Sequence, residues 1–163
     1  MRVIQWWRSQ FLWAELGLAV LLTAAFATWV EYYGGLQIAS KVLSGQRGSL
    51  YGTLASILGS LLGFVITTVS IVITFTGHDR LEVVRTSRHY PTLWKVFMSG
   101  IRALGFATLV TLIALLFDRD SSPRRELVYG VLFLTVLSAL RLARCVWALE
   151  NVIRLVTAGN KRN

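Results

Sequence analysis

The 163-residue chain has little charge and only one cysteine. Charged residues make up 15% of it and hydrophobic residues 55%, a composition typical of membrane proteins that leaves no room for a separate soluble domain. The lone thiol, Cys145, excludes an internal disulfide and any metal site built from several cysteines. The two histidines, His78 and His89, lack further ligands at useful spacing, so we predict no metal site.

Several signatures of catalysis are also missing. The sequence has no phosphate-binding Walker loop, no dinucleotide fingerprint and no paired carboxylates within an apolar run. We therefore predict a non-enzyme without a cofactor. The net charge of +9, from 17 basic and 8 acidic residues, is attributed to the positive-inside bias of membrane proteins rather than to nucleic-acid binding.

Four long apolar segments predict an all-α integral membrane protein, with residues 1–163 forming a single membrane domain. The predicted spans are residues 11–30, 50–75, 93–117 and 124–147, each reaching the roughly 20 residues that a bilayer requires. A short amphipathic helix is expected in the charged segment 79–88, and Tyr90-Pro91-Thr92 is expected to end it before the third span. The fourth helix is expected to continue to about residue 156 as an amphipathic cytoplasmic extension. The start of the chain imitates a signal peptide, but Glu15 within the apolar run favours a retained span.

The second predicted span carries a stripe of small and hydroxylated residues, here called the seam. Its members follow each other at alternating steps of three and four, the spacing of a heptad repeat on one helix face. They are Thr53, Ser56, Ser60, Gly63, Thr67, Ser70 and Thr74.

Two interpretations of the seam remain open. It can be a packing surface, since helix interfaces in lipid favour small residues. The third span offers a similar stripe as its natural partner, formed by Gly100, Ala103, Ala107, Thr111 and Ala114. The seam can instead line a water-filled pore at the centre of a homo-oligomer, where hydroxyl groups face water.

The distribution of basic residues predicts that both termini are cytoplasmic. With the N-terminus inside, the inner segments hold nine lysines and arginines and the outer loops hold five, and basic residues favour the cytoplasmic side. Part of the inner set forms a predicted cytoplasmic basic face, which can recruit a soluble partner or anionic lipid headgroups. That face comprises Arg80, Arg85, Arg88, Lys95 and Arg154.

This orientation places Glu15, Arg102, Arg141 and Arg144 at one depth near the cytoplasmic end of the membrane. A charged side chain there costs about 2.5 to 3.5 kcal/mol, so pairing or access to water is expected. Two interpretations remain open. In the first, the arginine side chains extend to the lipid headgroups and Glu15 neutralises one of them. In the second, the four residues form a basic constriction at the inner mouth of a pore, or a charged contact that opens or closes with protonation or ligand binding.

Two functional hypotheses follow from these patterns. The first is a self-associating pore or membrane-permeabilising effector, with the seam toward the lumen. The alternative is a membrane anchor or sensor subunit, in which the seam only packs and the basic face recruits a soluble cytoplasmic protein.

The run Leu58-Gly59-Ser60-Leu61-Leu62-Gly63-Phe64-Val65-Ile66-Thr67, followed by Arg88-His89-Tyr90-Pro91, places a Gly/Ser/Thr-rich second span before a short charged loop and a proline. This layout resembles small bacterial four-span proteins that act as membrane effectors or membrane subunits of anti-phage systems, such as the Kiwa membrane subunit. The resemblance implies a multi-pass protein of the bacterial inner membrane with a role in antiviral defence.

Overall fold

The computed structural model describes residues 11–32, 45–76, 90–118 and 124–159 of the chain. Within these ranges the protein is entirely helical, and its four helices are each long and apolar enough to cross a membrane. The prediction of an all-α protein with four transmembrane helices is confirmed. The helices are α1 (Phe11–Tyr32), α2 (Arg47–Thr76), α3 (Tyr90–Phe117) and α4 (Arg125–Gly159).

The fourth helix is the longest element. Its 35 residues correspond to about 52 Å at 1.5 Å per residue, whereas the hydrocarbon core of a bilayer is about 30 Å thick. The predicted extension is therefore one continuous helix with the span. It ends at Gly159, three residues beyond the predicted end.

The starts of α2 and α3 differ from the predicted boundaries. Gly45 adopts a φ of 76°, a conformation that glycine reaches without steric cost, and α2 begins two residues later. Helix α3 begins at Tyr90, three residues before the predicted start of the third span, so Tyr90-Pro91-Thr92 forms its first turn. A proline fits there, since the N–H it lacks would have no partner within the helix. The charged segment 79–88 lies outside the described residues.

The helices pack in the order α1, α4, α3, α2. Extensive contacts join α2 to α3, α3 to α4, and α4 to α1. Helices α3 and α4 thus each have two extensive neighbours, while α1 and α2 form the two edges of the arrangement.

The main buried cluster lies where α2, α3 and α4 meet. Leu58 and Val65 of α2, Leu104 of α3 and Cys145 of α4 belong to it. Helices α3 and α4 approach closely at Gly100, where an added Cβ would lie 2.8 Å from the Cys145 sulfur. Only glycine leaves room for the thiol at this crossing.

The predicted pairing of the seam with the α3 stripe is wrong. The stripe is buried, but Ala107 shares its cluster with Leu58 and Val65, which lie on the other side of α2 from the seam. At this interface the branched side chains of Leu58 and Val65 are set against Ala107, where they fill the space between the helices and gain dispersion contacts.

Candidate functional site

All seven seam residues are exposed on the surface of the single chain. The side of α2 that faces α3 instead buries Leu58, Val65 and Val69. At 3.6 residues per turn, the centre of the seam lies roughly 150° around the helix from this buried side. Within the described residues, the seam is therefore an unpacked polar face on an edge helix.

The seam hydroxyl groups are bonded to their own helix. Four of the six donate a hydrogen bond of 2.9 Å to the backbone carbonyl four residues earlier: Thr53, Thr67, Ser70 and Thr74. A hydroxyl oxygen that donates its proton still has lone pairs to accept hydrogen bonds. These groups can thus face a dry helix interface or accept hydrogen bonds from water.

An exposed apolar stripe runs beside the seam on α2. Ile57, Phe64 and Ile71 repeat every seven residues and expose 50%, 71% and 50% of their surface. Polar and apolar strips therefore lie next to each other on one face, which provides distinct surfaces for water and for a neighbouring helix or lipid.

A buried ion pair joins the first helix to the last. Arg144 Nε donates to Glu15 Oε1, and Glu15 is only 6% exposed. Arg141, one turn earlier on α4, donates from Nη1 to the backbone carbonyl of Ser99 at 3.1 Å and lies within electrostatic range of Glu15. Arg102 is exposed on α3. Three of the four residues predicted to share one depth therefore meet in one cluster, hereafter the Glu15 cluster.

The Glu15 cluster contains polar atoms without partners. Among the described residues, Glu15 Oε2 and Arg141 Nε are buried and have no hydrogen-bond partner. The same holds for the hydroxyl group of Ser99, whose backbone carbonyl accepts from Arg141. Such groups are costly in an apolar interior unless a further ligand satisfies them.

A second polar group, the Asp118 clasp, joins three helix ends on the opposite side of the molecule. Arg47 Nη1 at the start of α2 donates to both Asp118 oxygens, at 3.0 and 3.3 Å. Tyr51 Oη donates to Oδ2 at 2.6 Å, and the Arg124 backbone N–H donates to Oδ1 at 2.7 Å. The Asp118 side chain is fully buried.

The electrostatics of the clasp favour the ionised carboxyl. Burial by itself would raise the pKa of Asp118. The hydrogen bonds from Tyr51 and the Arg124 amide, together with the charge of Arg47, outweigh burial and hold the pKa below its ordinary value. The carboxylate also lies at the N-terminal ends of α2 and α4, where helix dipoles favour negative charge.

Sequence reasoning missed the clasp, although one signal for it was available. Arg47 and Asp118 carry opposite charges at the ends of two spans on the same predicted side of the membrane. A search for opposite charges at span ends on one side would have paired them. Tyr51 gave no signal of its own, since a tyrosine at a span end is expected in any membrane protein.

Most of the predicted basic face lies outside the described residues. This applies to Arg80, Arg85 and Arg88 and to the side chain of Arg154, whereas Lys95 is described and exposed. In the described part of the chain, no three His, Cys, Asp or Glu residues come together as metal ligands.

Comparison with known proteins adds no relative. The chain matches no protein-family model, no curated protein and no solved structure. Functional arguments therefore begin from the seam, the Glu15 cluster and the Asp118 clasp.

Proposed function

We propose that the chain is a non-enzymatic, self-associating membrane protein that forms a pore or permeabilises the membrane, with the seam toward the lumen. One observation carries the proposal: a polar face nearly six turns long is exposed on an edge helix of a single chain. Small and hydroxylated residues belong at helix interfaces or along water-filled paths. Because the described helices leave the seam uncovered, a second copy of the chain is its natural neighbour.

The seam and the apolar stripe of α2 would have different roles in such an assembly. The apolar stripe of Ile57, Phe64 and Ile71 would pack against the adjacent copy or face lipid, and the seam beside it would face the centre. Exposed hydroxyl oxygens would then accept hydrogen bonds from water or a hydrated ion. The Asp118 clasp would hold one end of α2 in place, because Arg47 and Tyr51 both belong to α2.

Cysteine accessibility in intact membranes tests the lumen. Cys145 is buried at 3% exposure and is replaced by alanine to give a thiol-free background. In this background Ser60→Cys and Thr67→Cys should react with a charged, membrane-impermeant thiol reagent. Phe64→Cys is the matched control, because it is equally unpacked in the single chain but belongs to the apolar stripe. Reaction at Phe64→Cys with none at the seam would refute the pore.

A second variant separates association from conduction. A Cβ at Gly63 meets nothing within 4 Å, so Gly63→Leu leaves the single chain undisturbed and acts on contacts between copies. Loss of the oligomer in Gly63→Leu, combined with seam cysteines that cross-link but never react with the reagent, would show a packing seam. That outcome favours the alternative of a membrane anchor or sensor subunit that recruits a soluble cytoplasmic partner.

We also propose that both termini are cytoplasmic and that the membrane is the bacterial inner membrane. A reporter fused after Asn163 should then be active only in its cytoplasmic form, and Gln46→Cys, exposed before α2, should be labelled from outside. The opposite result for both would reverse the orientation. A role in anti-phage defence rests on the resemblance of layout, and phage plating on cells carrying the wild type or Gly63→Leu tests it.

A further inference from the structure

Two cations on the exposed face of α3 have no acidic partner within the described part of the chain. Lys95 and Arg102 are both exposed, and no described residue bonds to or pairs with either side chain. Neither α3 nor the neighbouring α2 contains an aspartate or a glutamate. Arg102 lies nine residues inside the span that begins at Leu93, where a charged side chain is costly unless it is paired or hydrated. Arg102 therefore needs a partner from outside the four helices.

The two cations lie on one line along α3. Lys95 precedes Arg102 by seven residues, which is two turns, or about 10 Å along the axis. Ala107 and Thr111 are each only 1% exposed and lie roughly 140° and 180° around the helix from Arg102. Both cations are thus on the side of α3 that faces away from the other helices.

The direction of the side chains brings the two charges together near the membrane surface. Trp94, beside Lys95, is 39% exposed, as expected of a tryptophan at the level of the lipid headgroups. Side chains on a helix tilt toward its N-terminus, so the long Arg102 side chain extends from deeper in the membrane toward Lys95. The guanidinium and the ammonium group therefore approach the depth of the lipid phosphates from opposite sides.

The same face of α3 is apolar beyond Arg102. Phe106, Leu109 and Ile113 are 63%, 58% and 47% exposed and lie within about 40° of Arg102 around the helix. A cationic pair above a strip of exposed apolar side chains complements a phospholipid, which has a phosphate group above its acyl chains.

We propose that Lys95 and Arg102 together bind the phosphate of an anionic phospholipid whose acyl chains lie along the exposed face of α3. The planar fork of arginine matches two phosphate oxygens, and Lys95 adds a second positive charge. A lipid with a net negative charge is preferred because these two cations repel the cationic headgroup of a zwitterionic lipid. The site does not depend on the proposed pore, since the seam belongs to α2, nor on which leaflet faces the start of α3.

Lipid binding to the purified full chain tests the proposal. In uncharged detergent, native mass spectrometry compares phosphatidylglycerol with phosphatidylcholine of the same acyl chains. We expect phosphatidylglycerol to bind about thirtyfold more tightly, since each basic residue near anionic lipid contributes about 1 kcal/mol and 1.4 kcal/mol corresponds to a factor of ten. Lys95→Gln and Arg102→Gln should each lower this ratio about fivefold, and the double variant should bind the two lipids equally.

Arg124→Gln is the matched control. It removes the same charge from an exposed side chain at the opposite end of α3, and it keeps the backbone N–H that bonds to Asp118. Its lipid ratio should equal that of the wild type. Thermal unfolding gives a second readout: without lipid, Lys95→Gln/Arg102→Gln should unfold at the wild-type temperature, and phosphatidylglycerol should raise the unfolding temperature of the wild type more than that of the double variant.

Four results would overturn the proposal. Equal binding of the two lipids by the wild type would show that there is no anionic preference. An equal loss in Arg124→Gln and Arg102→Gln would indicate general charge attraction. Displacement of phosphatidylglycerol by millimolar inorganic phosphate would identify a site for a free anion. A changed oligomeric state in Arg102→Gln with an unchanged lipid ratio would assign this face of α3 to a contact between copies of the chain.

Discussion

Tyr51→Phe removes a single hydroxyl group from the Asp118 clasp and should lower the free energy of unfolding by about 1.5 to 2 kcal/mol. The hydroxyl donates at 2.6 Å to a carboxylate oxygen, and hydrogen bonds to charged groups contribute about 1.5 to 3 kcal/mol. Tyr51 is 1% exposed, so water does not replace the lost donor. The lower part of the range applies because Asp118 keeps its bonds to Arg47 and to the Arg124 amide.

Two further variants calibrate this effect. Tyr129→Phe is the matched control, since Tyr129 is only partly buried and no described residue bonds to its hydroxyl; it should stay within about 0.5 kcal/mol of the wild type. Asp118→Asn should cost more than Tyr51→Phe, about 3 kcal/mol, because it removes a buried negative charge that accepts hydrogen bonds from Arg47, Tyr51 and the Arg124 amide at once.

Unfolding of the purified chain by SDS titration in mixed micelles measures all three variants. If Tyr51→Phe costs no more than Tyr129→Phe, the hydroxyl–carboxylate bond gives no net stabilisation. If Asp118→Asn costs no more than Tyr51→Phe, the Arg47 contact is balanced by the desolvation of the two charges. Either result would refute the argument that the clasp fixes the end of α2.

Three other measurements address the remaining contacts. Gly100→Ala should destabilise the fold by about 1 to 3 kcal/mol through overpacking, and adding Cys145→Ala should restore most of the loss; Gly105→Ala, with nothing within 4 Å of its added Cβ, should not destabilise. Because the pKa of Asp118 is lowered in the folded state, its stabilisation is present above the ordinary carboxyl pKa of about 3.9 and is lost below it. The stability gap between wild type and Asp118→Asn should thus be constant at neutral pH and close below about pH 4, as pH-dependent unfolding will show. Glu15→Gln should lower detergent stability by more than the roughly 0.5 kcal/mol of an exposed substitution, as thermal unfolding will show.

The number and approximate position of the helices could be predicted from the sequence. A helix that crosses a bilayer needs a long apolar run, and chain composition alone reveals such runs. Helix ends were harder to place, as Pro91 shows: the same residue can end one segment or begin the next, and only the backbone around it decides.

The contacts between helices could not be predicted to the same degree. The small residues of the seam suit a helix interface, but the larger side chains of Leu58 and Val65 fill the space against α3 better. Three arginines shared the predicted depth of Glu15, and only the packing of α1 against α4 selects Arg144. Arg47 and Asp118 are 71 positions apart, so no local pattern connects them.

The ion pair between Glu15 and Arg144 spans 129 positions of the chain, which has a consequence for synthesis. At about 5 to 20 residues per second, Glu15 is made roughly 6 to 26 s before its partner. During that interval the first helix carries an acid that must be protonated, hydrated or held by another protein, because an unpaired carboxylate is unfavourable in lipid. A chain that stops before Arg144 therefore keeps the Glu15 carboxyl group without this partner, and that difference distinguishes an incomplete chain from a complete one. In pulse–chase experiments, truncation after residue 140 should shorten the half-life more when Glu15 is present than when it is replaced by glutamine.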